Sequence, residues 1–363
     1  MTTTRITRTA ITLIAAMGLV AAGCGSDGDS STAASDSSTA TSADQTVAES
    51  TNPGTPVAPS PYCDEACQDA LALQADPASI ECTVGLSWNT AGHPFGATSI
   101  SRSESSAAAM FPNMTLLTGH GEGDSLKQTA QIEDLLVKGI DVLIVSPTDA
   151  AALAPVVKRA ADEGVKIIAS DRNVDTAVDS YIGADNVLSG KVAGEHIVDL
   201  LGGSGKVAVL QGALGASPTI DRQAGFLEAL DGSDIEIVAD QTANYDRAEG
   251  LQVMEDYLQR FGSGEIDAVF AHNDEMALGA IQAIEEAGRA DEIAVVGIDG
   301  QESALDAIEN GSYAATVVYP IPVPEHIIAA AKLCAGEPLP ERIVTSATLV
   351  TLDNVADVRG TTF

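Results

Sequence analysis

From residue 82 onward the hydrophobic positions fall into two alternating patterns. Short β-branched runs recur at 83–87, 113–118, 142–145, 165–169, 180–183, 206–211, 235–239, 268–271, 294–298 and 315–318. Longer stretches with helical spacing fill the gaps between them, so the chain predicts repeated βα units. Three of the helices read clearly. Residues 125–138 place Leu126, Ala130, Glu133 or Asp134 and Val137 at helical spacing; Asp149 caps a helix that runs to Glu163; residues 275–287 carry Met276, Ala280, Ile284 and Ala287 along one stripe. These stripes predict the faces that pack on the sheet.

Composition agrees with this pattern. Apolar residues make up 45% of the chain and aromatics only 4%, the balance of helices laid over a parallel sheet, and α/β is the expected class. At 363 residues the chain exceeds one core, and about 150 residues per domain predicts two lobes with a cleft between them. Lys and Arg total 18 against 52 Asp and Glu, a formal charge of −34. Such a field repels phosphate backbones and gains nothing from anionic head groups, so nucleic acid is excluded as a partner. The plain reading of the acidity is solubility of an exported protein.

The first residues change the picture of where the protein works. Arg5 and Arg8 precede an uncharged stretch from Ala10 to Gly23, too short to span a bilayer and right for the apolar region of a signal peptide. Its end, Leu19-Val20-Ala21-Ala22-Gly23-Cys24, resembles a bacterial lipoprotein signal, in which the cysteine thiol is diacylated before cleavage. The competing reading is a plain secretory signal with an incidental cysteine. Residues 25 to about 60 hold no Lys, Arg or aromatic residue and cannot bury enough surface to fold. The predicted division is a signal peptide at 1–23, a disordered tether at 24–60 and a cysteine-containing extension at 61–79. Four cysteines remain after Cys24, namely Cys63, Cys67, Cys82 and Cys334. An even count in an oxidising compartment favours two disulfides, with three pairings open. A zinc site is the alternative, but Cys63-x-x-x-Cys67 lacks a second pair and no histidine is near it in sequence.

In open parallel sheets, ligands sit outside the carboxyl ends of the strands. The residues there are Trp88 to Phe95, Ser146-Pro147-Thr148, Asp171-Arg172, Gly212 to Arg222, His272-Asn273-Asp274 and Asp299-Gly300. They supply carboxylates, two arginines, an asparagine and aromatics, with no nucleophile–base pair. A sugar needs this kind of set: Asp accepts from its hydroxyls, Arg donates through a rigid fork, Asn does both, and Trp88, Phe95 and Tyr245 can pack on its C–H faces.

Six blocks then take on a familiar order. Ala169-Ser170-Asp171-Arg172, Tyr181-Ile182-Gly183-Ala184-Asp185-Asn186, the block from Thr219 to Phe226, that from Asn244 to Gly250, that from His272 to Gly279, and Val296-Gly297-Ile298-Asp299-Gly300 together resemble the ribose-binding-protein type of periplasmic sugar receptor. The resemblance covers about residues 80 to 355. It implies an α/β protein of two Rossmann-like lobes with parallel sheets joined by a three-segment hinge (periplasmic binding protein type I), with an N-terminal lobe at 80–184 plus 320–348 and a C-terminal lobe at 185–319 plus 349–363. By position, Asp171 and Arg172 match sugar ligands on the first lobe, Arg222, Asn273 and Asp299 match ligands on the second, and Tyr245 and Phe95 match stacking aromatics. The sequence departs from that pattern at His93, where the ribose receptor has an amide, at Gly96, where it has an aromatic, and at Tyr319, where it has a glutamine.

Each assignment has a structural competitor. Asn273 or Asp274 can be the N-cap of the helix they open, Asp299-Gly300 can be only a turn, and Arg172 and Arg222 can be surface ion pairs. Trp88 can be core, His93 has no preferred role, and Tyr319, beside Pro320 and Pro322, can shape the hinge instead of the site.

Other chemistries fail on their motifs. Gly205-Lys206 is followed by Val207 and a strand instead of a phosphate-loop helix, and Gly215-Ala216-Ser217-Pro218-Thr219 lacks the last glycine of a nucleophile elbow. The five histidines show no metal spacing. The expectation is a binding protein with no cofactor and no metal, monomeric, extracytoplasmic and lipid-anchored at Cys24 on the outer face of the cytoplasmic membrane. It takes a monosaccharide or polyol and serves an ABC permease; the alternative is a sensor docking to a membrane kinase or chemoreceptor.

Overall fold

Every one of the β-branched runs forms a strand in the computed structural model, which describes residues 59–363. They are β1 (Cys82–Trp88), β2 (Met114–His120), β3 (Val142–Val145), β4 (Lys166–Ser170), β5 (Ser180–Ala184), β6 (Ser204–Gln211), β7 (Asp234–Thr242), β8 (Ala268–Ala271), β9 (Ala294–Asp299) and β10 (Ala315–Val318). Two more, β11 (Arg342–Thr345) and β12 (Thr348–Val350), are edge strands buried at only some of their residues and carry no continuous apolar run. The strands build two six-stranded sheets, ordered β11-β5-β4-β3-β1-β2 and β12-β10-β9-β8-β6-β7. All pairings are parallel except β10 with β12. The middle strands β3 and β8 are buried at every residue, which is why they read as continuous Val, Leu, Ile, Ala and Phe rather than as alternation.

Helices cover both faces. On the first sheet, Val84, Leu86, Phe111 and Ile327 pack on one side and Ile132, Leu143, Leu153 and Ile167 on the other. On the second, Leu210, Val269, Met276 and Ile284 oppose Val209, Phe226, Phe270 and Ile298. Each such fully buried side chain contributes about 1.5–3 kcal/mol, and two separate double-sided cores make two lobes.

One predicted core face is corrected. In α3 (Ser125–Val137), Leu126 and Val137 are 81% and 88% exposed, and the buried residues are Gln128, Ile132 and Leu135. A polar residue on the inner face misled the period. Gln128 is buried because its amide serves the backbone, donating to Ser146 O and accepting from Thr148 N. The helix α4 (Ala150–Asp162) is capped by Asp149 as expected, and α8 (Asp274–Glu286) buries Met276, Ala280 and Ile284, whereas Ala287, expected on the same stripe, is its exposed C-cap because the helix ends there.

The chain passes between the sheets three times: from β5 into α5 (Asn186–Leu200), from β10 into α10 (Glu325–Cys334), and between β11 and β12. The third passage comes early enough that Thr348, grouped by sequence with the first lobe, pairs with Val318 in the second sheet.

The cysteines pair as Cys63–Cys67 and Cys82–Cys334. Cys63, together with Cys67 and Leu71 of α1 (Glu65–Leu71), belongs to the first lobe's core, whereas Tyr62 packs against the second lobe's core. Tyr62 also accepts at its carbonyl from Ser346 N at 3.0 Å, and its hydroxyl meets Thr361 Oγ1 at 2.6 Å. Just before it, Ser60 N donates to the buried Glu325 Oε1 at 2.7 Å. The predicted signal peptide, Cys24 and all but the end of the predicted tether lie outside the described residues. No helix among the described residues is long and apolar enough to cross a membrane.

Candidate functional site

The strand ends of the two lobes face each other across a cavity lined from both sides. The ten side chains that the sequence assigned to ligand contact line it, whereas Ser146, Pro147, Thr148, His272 and Asp274, which also stand at strand ends, do not. Trp88, His93, Phe95, Asp171 and Arg172 come from the first lobe, Arg222, Tyr245, Asn273 and Asp299 from the second, and Tyr319 from the second passage between them. Beside the cavity the lobes touch directly, Ala150 N donating to Gly215 O at 3.2 Å and Asn173 N to Ser217 Oγ at 2.8 Å.

On the first lobe, Asp171 follows β4 in the left-handed region at φ 67°, which non-glycine residues adopt only when held there. Its own N–H holds it, donating to Ile182 O at 2.9 Å. Oδ1 accepts from the Tyr319 hydroxyl at 2.9 Å and Oδ2 from Ser146 Oγ at 3.1 Å; Ser146 in turn accepts from Asn89 Nδ2 at 3.0 Å. Burial pushes the Asp171 carboxyl above its ordinary range, and the Arg172 charge works against that rise. Arg172 is held much less. Its Nη1 reaches only the carbonyls of Pro147 and Thr148, at 3.3 and 3.4 Å, Nε lies 3.6 Å from Asp171 Oδ2, and Nε has no hydrogen-bond partner among the described residues.

The second lobe inverts this. Arg222, on α6 (Ser217–Leu230), donates from Nε to Asn186 Oδ1 at 2.9 Å and from Nη1 to His272 O. Its guanidinium lies 4.4 Å over the Tyr319 ring. Asp299 ends β9 at φ 138°, with Oδ1 3.7 Å from Arg222 Nη1. Burial drives its carboxyl well above the usual range; Arg222 opposes the rise, and Asp274 and Asp171 add to it.

The structure also separates Asn273 from Asp274. Asn273 is the N-cap of α8, its Oδ1 accepting from Met276 N at 3.0 Å, and it lines the cavity as well. Asp274 lies beneath the site. It accepts from Gly300 N (2.7 Å), Gln301 N (3.0 Å), the Tyr313 hydroxyl (2.7 Å) and Thr316 Oγ1 (2.7 Å), and so fixes the turn that presents Asp299. Its carboxyl is pushed up to about 6 by burial.

The aromatics form the walls. Tyr245, at φ 63°, bonds Thr219 Oγ1 through its hydroxyl at 2.7 Å and has the Arg172 and Arg222 guanidinium groups 5.6 and 5.9 Å from its ring. Its ring needs Gly212, where an added Cβ would come within 1.9 Å of Cζ. Phe95 packs on Tyr319 with centroids 5.6 Å apart. Trp88 is fully buried, so it is core and cavity wall at once. His93 stands at the N-cap position of α2 (Pro94–Met110) without a capping bond. Burial lowers its pKa, and among the nearby charges Asp246 opposes most. Gly96 has a local reason to lack a side chain: a Cβ there would sit 2.1 Å from Thr90 O.

Asn89, Thr90, Gly96 and Pro218 also line the cavity and were not chosen as site residues from sequence. All four stand at or just past strand ends already flagged, so taking every residue of those loops, instead of the chemically conspicuous ones, would have found them. The lining offers donors, acceptors and ring faces. It contains no serine, cysteine or lysine nucleophile beside a base.

The sequence profile of the periplasmic binding protein domain matches residues 84–330. The chain belongs to the periplasmic binding protein family. This periplasmic binding protein is 40% identical over 238 residues to the ribose import binding protein RbsB of Bacillus subtilis (strain 168), spanning 65% of this chain and 76% of the relative. Among solved structures it is similar to an ABC transporter solute binding protein from Bacillus halodurans C-125 with bound myo-inositol, at a TM-score of 0.73 and 31% identity over 78% of this chain and 99% of that one. It is similar to the same degree, TM-score 0.73 at 28% identity over 77% and 93%, to the fructose binding periplasmic domain of a hybrid two component system. Membership implies an extracytoplasmic location. The match begins after the Cys63–Cys67 segment, so Tyr62 lies outside it.

Proposed function

We propose that this periplasmic binding protein is the receptor of an ABC importer for a monosaccharide or sugar alcohol, and that it captures its ligand by closing two lobes on it. The observation that carries this reading is the cavity lining: a carboxylate and a guanidinium from each lobe, with ring faces between them and no catalytic pair. Asp171 and Arg172 take ligand hydroxyls on one side, and Arg222, Asn273 and Asp299 take them on the other. Tyr245 and Phe95 cover C–H faces, and Trp88, His93 and Tyr319 complete the enclosure. Hydrogen bonds to charged groups contribute about 1.5–3 kcal/mol each. Four or five of them support micromolar binding, about −8 kcal/mol, after ordering costs. Only a bound ligand satisfies both lobes, so binding shifts the population toward the closed form that the permease reads.

The relatives named for ribose and myo-inositol support the ligand class without choosing within it. The protein acts as a monomer, held at the outer face of the cytoplasmic membrane by acyl chains on Cys24. The fructose-binding domain of a two-component system favours one second reading, a sensor that passes closure to a membrane kinase. The test of the first reading is titration with ribose, fructose, xylitol and myo-inositol, following Trp88 fluorescence and melting temperature. A rise in melting temperature with at least one supports it, and no shift with any carbohydrate overturns it. Mass spectrometry of the mature N-terminus tests the anchor, expecting a diacylated Cys24.

A further inference from the structure

Asn186 has no role in the reading above, and its contacts are directional. It is buried at the start of α5, where the chain has just made its first passage between the lobes. Arg222 Nε lies 2.9 Å from its amide oxygen. Arginine can only donate, so the oxygen must face Arg222 and the amide nitrogen must face the other way, toward the Tyr319 hydroxyl at 3.1 Å. That hydroxyl accepts from Asn186 and has one proton left to give. Asp171 Oδ1, at 2.9 Å, is the nearer of its two acceptors, the Asp171 carbonyl oxygen lying at 3.2 Å. The bonds run one way, from the arginine of the second lobe through two residues of the hinge to the carboxylate of the first.

We propose that Asn186 is a positioning residue of the cleft: it turns the Tyr319 proton onto Asp171 and pins Arg222 by its Nε. The proposal rests on the cleft being the ligand site. With Nε and Nη1 engaged, Arg222 keeps Nη2 to donate to a ligand oxygen. With Oδ1 and Oδ2 of Asp171 already served by Tyr319 and Ser146, its remaining lone pairs can only accept from ligand hydroxyls. Leucine at 186 matches the shape and carries neither function, so the Tyr319 proton would be free to turn away.

The test reads the Asp171 carboxyl itself, by carbon-13 NMR titration of the ligand-free protein, with its resonance assigned through Asp171→Asn. The groups that face this carboxyl are Arg172, Arg222, Tyr319 and Ser146, with the Asp299 carboxyl within electrostatic reach and the Tyr181 hydroxyl on the Asp171 backbone carbonyl. Tyr319→Phe is expected to raise the Asp171 pKa by about half a unit or more, because a hydrogen bond to the charged form is lost. Asn186→Leu is expected to raise it in the same direction, and the double variant to match Tyr319→Phe alone, because both act through one proton. An Asp171 titration unmoved by Asn186→Leu, or shifts that add in the double variant, would overturn the relay. If the leucine variant does not fold, Asn186→Ala takes its place in the cycle. Calorimetry with ribose, xylitol and myo-inositol adds a second readout, in which Asn186→Leu weakens whichever binds by about tenfold. If none binds the unaltered protein, the sugar reading fails while the titration still decides the role of Asn186.

Discussion

The two lobes bring the same pair of groups to the cleft and treat them oppositely. In the first lobe the acceptor is fixed: Asp171 takes hydrogen bonds from Tyr319 and Ser146, while Arg172 has only long contacts to two carbonyls. In the second the donor is fixed: Arg222 is held by Asn186 and the His272 carbonyl, while Asp299 has only the 3.7 Å approach of Arg222. Each lobe therefore keeps one partner of its pair unsatisfied. The loose donor and the loose acceptor stand on opposite walls, which under the proposed function leaves both for a ligand with adjacent hydroxyls to complete.

The comparison is open to attack at its strongest point first. Asp299→Ala and Arg222→Ala should each cost about 2–3 kcal/mol in ligand affinity by calorimetry, but only Arg222→Ala, which strips partners from buried groups, should also lower the melting temperature. Equal melting losses would mean that Asp299 is as pinned as Arg222. Next, Arg172→Ala should lose about 2 kcal/mol of affinity with the fold unchanged; a large fall in melting temperature would erase the contrast between the arginines.

A separate effect, on stability instead of affinity, comes from acid. His272 and His326, one in each lobe, are both pushed down to about 3 by burial and stay neutral in the folded protein. The unfolded chain takes up these protons below about pH 6.5, so stability is lost as pH falls from there, by about 1.4 kcal/mol per pH unit for each histidine. The raised carboxyls of Asp171, Asp274 and Asp299 act oppositely, binding protons in the folded state first. The quantity to measure is thus the difference in slope of unfolding free energy between the unaltered protein and His326→Gln or His272→Gln. Each variant should flatten the acid loss, and an unchanged slope would show that its histidine is charged in the fold. Smallest, Ser146→Ala should weaken binding by about 1 kcal/mol or less by removing one donor from Asp171; no change would show that Tyr319 alone holds it.

What the sequence made legible follows from range. Strands buried on both faces, such as β3 and β8, announce themselves in four consecutive residues. The edge strands β11 and β12 depend on partners far away in the chain and leave no pattern of their own. The inner face of α3 was hidden because Gln128 is buried to serve a backbone 18 residues on. The cavity lining was legible because polar groups and rings collect at strand ends and because six blocks stand in a known order. Which groups are pinned was not, since Asp171 is held by Tyr319 from 148 residues away and Asn186 meets Tyr319 across 133. The disulfide pairing was closed to sequence for the same reason: Cys82 meets Cys334 over a separation of 252.

Tyr62 and Cys63 adjoin in the chain yet pack into different lobes, and this bears on where the protein can be cut. A fragment trimmed to the family match at residue 84 would lose the peptide bond that runs between the two cores, and would also uncover the surface that Cys63, Cys67, Leu71 and Ile80 close on the first lobe. Its two halves would be tied only by the three passages between the sheets. A faithful fragment has to begin before Ser60, so that the chain ahead of the family domain is kept as part of its hinge.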